Sequence, residues 1–327
     1  MTVQNVFYIL YAVNDENAIF MMIRFLTEAP RADAPLVLAL GVFDAVHLGH
    51  REIISRAALL AKEHDAKVVA VTFFPHPREV LAKTPPVLLL PKEARIVLLR
   101  NAGADAVGTI DFSREFATWS AEKFCQMLWR EFPHRIAGIV VGSNWRFGKG
   151  GEGNAAFLQK FFASFHVETL AVIEKSYQEK IISASRIREA IAAGDFDSGS
   201  AMLGRPVALY GIVRHGFGDA GKLLAAPTLN LEVVAGVFPP DGVYAGRIML
   251  PDGRFFPAAV NCGIAPTFGD RTRRIEAHLI DFSGDLYDKK VKLEFCRFIR
   301  AEKRFASVGE LKAQIARDIA LCREAAK

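Results

Sequence analysis

Leu36-Val-Leu-Ala-Leu-Gly-Val-Phe-Asp-Ala-Val-His-Leu-Gly-His50 is the stretch on which the fold turns. Five apolar residues end at Gly41, a short segment follows, and Arg51–His64 carries apolar residues at helical spacing, so the order is strand, loop, helix. Two further runs behave alike: Lys67–Phe74 stops at Pro75-His76-Pro77, and Ile136–Val141 stops at Gly142. Continuous apolar strands alternating with helical stretches imply a parallel sheet covered on both faces. Sheets of this kind bind ligands outside the carboxyl ends of their strands, which is where these runs meet Gly, Pro, His or Asn.

Beyond a helix at Ser185–Ala193, closed by Gly194, the pattern changes. Gly194–Ser200 reads as a linker and Gly204-Arg-Pro206 as a new start. Shorter strand-like segments follow at Val207–Val213, Val243–Leu250, Phe255–Asn261, Ile275–Asp281 and Val291–Ile299, divided by Gly, Pro, Asp and Asn turns. They predict an antiparallel barrel with one closing helix over Ser307–Arg323. The expected fold class is therefore an α/β, Rossmann-like parallel-sheet domain followed by a mainly antiparallel β-barrel with a C-terminal helix. The expected boundaries are an extension over 1–35, a first domain over 36–194, a linker over 195–204 and a second domain over 205–327. Met21 or Met22 is read as the natural start, because regular pattern begins only near Leu36.

Composition limits what such a chain can do. Its 327 residues are 51% hydrophobic and 24% charged, which excludes a disordered or collagen-like protein. The net charge of +5 is spread along the chain and forms no basic stripe, so no nucleic-acid partner is expected. Cys125, Cys262, Cys296 and Cys322 form no C-x-x-C pair, which argues against a zinc site or disulfide framework and favours a cytoplasmic setting. The N-terminal apolar runs are too short to span a bilayer, so no membrane partner is expected, and nothing in the pattern commits the chain to an oligomeric state.

The chemistry is concentrated in the loop after the first strand. His47 and His50 flank Gly49 at the start of a helix, where free backbone N–H groups attract anions. Two imidazole donors there suit a nucleotide phosphate and the extra negative charge of a pentavalent phosphorus. Two helix-capping histidines are the competing reading.

The F-D-x-V-H-x-G-H form of this segment resembles the H-x-G-H nucleotidyltransferases, and specifically the adenylyltransferase half of bacterial bifunctional riboflavin kinase/FAD synthetase. Thr72-Phe-Phe-Pro-His-Pro77, Val140–Lys149 and Ile182-Ser-Ala-Ser-Arg-Ile-Arg188 follow in that family's order and spacing. The resemblance implies that His47 and His50 bind ATP phosphates and stabilise the transition state, within a phosphate loop that includes Gly41, Phe43, Asp44 and Gly49. It also implies phosphate contacts for Asn144, Ser183, Ser185 and Arg188; read alone, the serines are equally helix caps and Arg188 equally a solvated residue. Ala45 stands at a family glycine, Ala184-Ser185 replace Ser-Thr, and Gly151 takes the place of an arginine.

Pro227-Thr-Leu-Asn230 carries the second constellation. Thr228 and Asn230 are two apart on an extended segment and point the same way, so a hydroxyl and an amide oxygen can meet Mg²⁺ and ATP phosphates together. Asn261–Phe268, Ile275-Glu-Ala-His278, Asp281–Tyr287, Arg300 and Phe305 complete a resemblance to the riboflavin kinase module. The resemblance implies Thr228 and Asn230 as the metal and phosphate residues and Glu276 as the base for the ribityl 5′-hydroxyl. The implied partners are riboflavin, FMN and ATP with Mg²⁺, and the implied products are FMN and FAD. Ala225, Ala226 and Leu229 depart from the kinase loop and motivate the alternative of an FAD synthetase with a degenerate, flavin-binding or regulatory barrel.

Overall fold

The computed structural model describes residues 22–214, 228–267 and 270–325. The chain divides into two units, each with its own core. Among the described residues, no helix is long and apolar enough to cross a membrane.

The first unit takes in the described residues up to Pro86 and then Lys92–Ala184. Its strands are β1 (Ile23–Phe25), β2 (Leu36–Leu40), β3 (Lys67–Phe74), β4 (Ala106–Asp111), β5 (Ile136–Gly142) and β6 (Glu168–Val172). They form one sheet in the order β1-β4-β3-β2-β5-β6, parallel except for β1. All five residues of β2 are at most 1% exposed, which is why that stretch reads as unbroken apolar sequence: helices cover both faces of a parallel sheet. The helices are α1 (Leu48–Glu63), α2 (Pro77–Leu81), α3 (Lys92–Asn101), α4 (Ala121–Glu131) and α5 (Ala155–Phe162). Strand order reverses between β2 and β5, so the crevice outside their carboxyl ends is the topological switch point where such sheets take ligands.

Regular structure begins earlier than Leu36. Ile23 pairs with Ile110, is 1% exposed, and packs so closely on Gly108 that a Cβ there would lie 2.8 Å from its Cγ2. Three residues are too few to show a period, so this edge strand left no pattern to read. Residues 1–21 of the expected 1–35 extension lie outside the described residues, and its described remainder, 22–35, contains β1.

The short strands β7 (Ser176–Tyr177) and β8 (Lys180–Ile181) form a hairpin that leads to α6 (Ala184–Ala192). The second unit starts at Ser185 and also takes in Val87–Pro91, whose Leu88 carbonyl accepts a hydrogen bond from the Gly236 N–H at 2.7 Å. The expected linker over 195–204 is instead a helix, α7 (Phe196–Leu203). Its Asp195 N-cap accepts from the Ser198 N–H and Gly204 closes it in a left-handed conformation. Small residues made the segment look like a linker; burial of Phe196, Met202 and Leu203, with Phe196 stacked on Phe295 at 5.0 Å, overrides their low helix propensity.

The remaining strands are β9 (Ala208–Arg214), β10 (Thr228–Ala235), β11 (Gly242–Met249), β12 (Phe255–Thr267), β13 (Asp270–Leu279) and β14 (Lys290–Arg300). They close an antiparallel barrel in the order β10-β13-β12-β11-β14-β9, as the turn-divided segments imply. The terminal helix α8 (Val308–Ala325) packs on β11, β12 and β14, burying Cys322 against Ala245 and Ile280.

Candidate active sites

In the first unit the loop Gly41–His47 leaves β2 and delivers His47 to the N-cap of α1. The His47 Nδ1 accepts a hydrogen bond from the His50 N–H at 3.3 Å, which leaves its Nε2 to carry the proton and donate. The two imidazoles are stacked, with centroids 3.7 Å apart and planes 17° from parallel. The edge of Phe43 closes on His50 at 5.3 Å. Close packing favours glycine at two positions. A Cβ at Gly41 would meet the Phe43 ring at 2.7 Å, and one at Gly49 would crowd the His47 imidazole at 3.2 Å. No acidic side chain occupies the first turn of α1, so none of its own residues offsets the positive end of the helix dipole there.

The capping reading and the phosphate reading are thus compatible: His47 caps with Nδ1 and can still donate from Nε2. The loop is held in a costly shape, because Phe43 and Val46 have φ of 50° and 43°, a region that costs a non-glycine residue about 1–3 kcal/mol. Ala45, at the family glycine, has no positive φ, so its methyl group carries no backbone penalty. Phe43 and Asp44, 0% and 2% exposed, turn their side chains inward, so neither offers a side-chain contact to a phosphate.

Asn144 lies exposed in the loop after β5, the strand beside β2 at the switch point, and a Cβ at Gly142 would be 3.5 Å from both its Oδ1 and the Ile53 Cδ1 of α1. The Ser143 hydroxyl donates to Glu174 at 2.8 Å, and Lys175 pairs with Glu52 of α1 at 2.9 Å, so the segment leading to Ser183 is tied to the loop after β5 and to α1. Next to Ser143 and Arg146 a cavity of about 360 Å³ opens against Asn154, the N-cap of α5, Gln159 of that helix and Thr169 of β6. Gly148 shapes the adjoining turn: its φ is +74°, and a Cβ would lie 2.7 Å from the Ala121 backbone nitrogen. Gly148→Ala is expected to cost on the order of 2–3 kcal/mol, read as a lowered thermal midpoint, because neither backbone can move freely.

Ser183 directly precedes α6 and Ser185 lies in its first turn. Arg188 belongs to the second unit, where its Nε donates to the Val87 carbonyl at 2.7 Å, so part of its guanidinium is engaged by backbone.

In the second unit the chemistry is set by register. Asn230 lies opposite Glu276, Glu276 opposite Asn261, Asn261 opposite Val243 and Val243 opposite Arg300, giving one row across five strands. Thr228 faces His278 in the neighbouring row. Directly opposed residues share a face, and a slip by one residue would send the whole row to the other side. Ile275, Ala277 and Leu279, alternating with these, are buried. The row opens into a cleft of about 740 Å³, lined by Thr228, Asn261, Glu276 and His278 on the sheet and by Lys303, Phe305 and Lys312 around α8. Arg300 is fixed at its edge by a bidentate bond to buried Asp318, with contacts of 2.8–3.2 Å, and Gln314 donates to the same carboxylate.

Leu229 pairs with Ala277 on the opposite face from Thr228 and Asn230, so its bulk fills space beside a small residue and stays out of the cleft. Ala225 and Ala226 lie outside the described residues. Burial pushes the Cys125, Cys262 and Cys322 thiols up to about 12, which closes them to thiolate chemistry, Cys262 included despite its place beside Asn261.

Asp318 and Arg95 were not singled out from sequence. Arg95 stands four residues before Leu99 on α3, and both are 0% exposed, so the helical period does place it on the buried face.

Comparison with known proteins assigns both halves. A family model for FAD synthetase matches residues 29–186, and one for riboflavin kinase matches residues 203–326. Bifunctional riboflavin kinase/FMN adenylyltransferases of Haemophilus influenzae and Escherichia coli K12 are each 33% identical over 301 residues. These alignments cover 91% of this chain and 96% and 95% of the relatives. The Bacillus subtilis protein of the same description is 33% identical over 87% of this chain and 90% of its own. A crystal structure described as a macrolide-efflux protein from Streptococcus pneumoniae superposes with a TM-score of 0.79 at 28% identity, covering 89% of this chain and 94% of that one. One-third identity across nine-tenths of the sequence, with a matching model over each half, means that the chain belongs to the bifunctional riboflavin kinase/FMN adenylyltransferase family.

Proposed function

We propose that the barrel unit transfers the γ-phosphoryl group of ATP to the 5′-hydroxyl of riboflavin, giving FMN and ADP, and that the first unit joins FMN to the AMP part of a second ATP, giving FAD and pyrophosphate. The observation that supports this reading is a stacked imidazole pair at a helix N-terminus in one unit and, in the other, an Asn230–Glu276–Asn261 row of which Glu276 and Asn261 line a cleft.

In the kinase step Glu276 accepts the proton of the ribityl hydroxyl as its oxygen attacks the γ-phosphorus. Thr228 and Asn230, hard oxygen donors on one face of β10, are suited to the Mg²⁺ that accompanies ATP. Among the described residues, no three His, Cys, Asp or Glu side chains cluster as metal ligands. Phosphate oxygens would therefore supply much of the coordination, and the bound metal would neutralise charge on the transferring group. In the adenylyl step an FMN phosphate oxygen attacks the α-phosphorus, and His47 and His50 donate to the oxygens that gain charge as pyrophosphate leaves. Asn144, Ser183 and Ser185 are assigned to phosphate contacts, and the cavity at Ser143 and Arg146 to the acceptor side. ATP as substrate and the absence of paired cysteines among the described residues suit the cytoplasm.

Supplying riboflavin, ATP and Mg²⁺ and resolving flavins by chromatography tests the reading. FMN should form first and FAD after a lag. FAD from supplied FMN, with no FMN from riboflavin, would leave a synthetase with an inactive barrel.

A further inference from the structure

Arg95 is the most deeply buried large charged side chain of the first unit, at 0% exposure, and it sits under the histidine loop. Its Nη1 reaches the Val42 carbonyl at 3.5 Å, and its Nη2 lies 3.9 Å from the Asp44 carboxylate, which is buried too. The Phe74 ring covers its guanidinium at 4.4 Å, while Nε and Nη2 have no hydrogen-bond partner among the described residues. The Val42 carbonyl also accepts from the Thr72 hydroxyl at 2.7 Å. Two buried donors therefore converge on the peptide that precedes the left-handed residue Phe43.

This arrangement is a poor device for stability. A guanidinium removed from water and given one long hydrogen bond and one loose ion pair does not recover its desolvation cost, and a well-packed apolar side chain of similar size would serve as well or better. Burial accordingly depresses the Arg95 pKa, opposed by Asp44 and Glu79. Function gives the charge a reason. A triphosphate brings several negative charges to a loop that already carries the Asp44 carboxylate, and in a dry interior that repulsion is only weakly screened.

We propose that Arg95 is a positioning residue for adenylyl transfer: from beneath the Gly41–His50 loop it neutralises Asp44 and holds Val42, so that the stacked His47 and His50 stay aimed at the nucleotide. This rests on the loop being the ATP site. The loose contacts to Val42 and Asp44 then tighten when nucleotide binds, as contacts in ligand-free active sites commonly do.

The test is a cycle of Arg95→Met, Asp44→Asn and the double variant in the full chain. It reads thermal midpoint, ATP binding by calorimetry, kcat and KM for FAD formation from FMN, and FMN formation from riboflavin. Arg95→Met should lower kcat for FAD formation roughly 10²-fold, the scale for a displaced catalytic group, with FMN formation unchanged. The double variant should melt at or above the parent yet recover only about tenfold of that loss, the range expected of two coupled charges. Should Arg95→Met fail to fold, Arg95→Lys keeps the charge without the fork and should lose about tenfold. Parent kinetics in Arg95→Met, Arg95→Lys or the double variant, or a double variant no better than Arg95→Met, would overturn the role. If His47→Ala leaves FAD formation intact, the loop reading itself fails; if His47→Ala abolishes it and Arg95→Met is silent, only Arg95 is released.

Discussion

His50→Ala is expected to slow FAD formation from FMN and ATP by roughly 10²–10³-fold, the scale for losing one preorganised transition-state donor. The choice of His50 over His47 follows from the cap. His47 Nδ1 holds the first turn of α1, so its removal would also cost about 1 kcal/mol of helix stability. Loss of the His50 imidazole leaves that cap in place, since it is the backbone N–H of residue 50 that donates. The stacked partner would lose its neighbour at 3.7 Å, and the phosphate oxygens would lose one of two donors at the helix end. His47→Asn is the companion variant, because it keeps a capping acceptor and lacks the imidazole. Steady-state rates with FMN in excess decide the matter, and a thermal midpoint for the first unit close to the parent's shows that the variant is folded.

Glu276→Gln should suppress FMN formation by roughly 10²–10⁴-fold, as expected when a positioned general base is lost. The amide has nearly the volume of the carboxylate, so the row between Asn230 and Asn261 keeps its packing. It cannot take up the proton of the attacking hydroxyl. Riboflavin should still bind, so the loss should fall on kcat more than on KM. FAD formation from supplied FMN should continue at the parent rate, because that chemistry belongs to the other unit. FMN formation within a few-fold of the parent would remove Glu276 from the role of base and leave it a polar member of the cleft wall.

Much of this was legible in the sequence, for reasons that can be named. A parallel strand buried on both faces must be apolar at every position, and Leu36–Leu40 is. A half-buried strand must alternate, so Glu276 and His278 were separated from Ile275, Ala277 and Leu279 by parity alone. The loop after the first strand announced itself through two histidines and two glycines, and the glycines prove to be the places where a methyl group would strike Phe43 or His47.

What was missed depends on distant partners. The helix Phe196–Leu203 is composed like a linker, and the stacking of Phe196 on Phe295, about a hundred residues on, makes it a helix. Ile23–Phe25 is a strand because Ala106–Asp111 offers it an edge. Leu229, one of the departures from the kinase loop, pairs with Ala277 on the face opposite Thr228 and Asn230, and only the register shows this. Arg95 and Asp318 were passed over because charged residues on helices are ordinarily exposed; both are buried against carboxylate or guanidinium partners many residues away.

The most direct measurement of the central claim, that two separate sites perform consecutive steps, is a mixing experiment with His50→Ala and Glu276→Gln in riboflavin, ATP and Mg²⁺. The first variant alone should stop at FMN, the second should leave riboflavin unchanged, and the mixture should produce FAD through released FMN. FAD formed from riboflavin at the parent rate by either variant alone would contradict the division of labour.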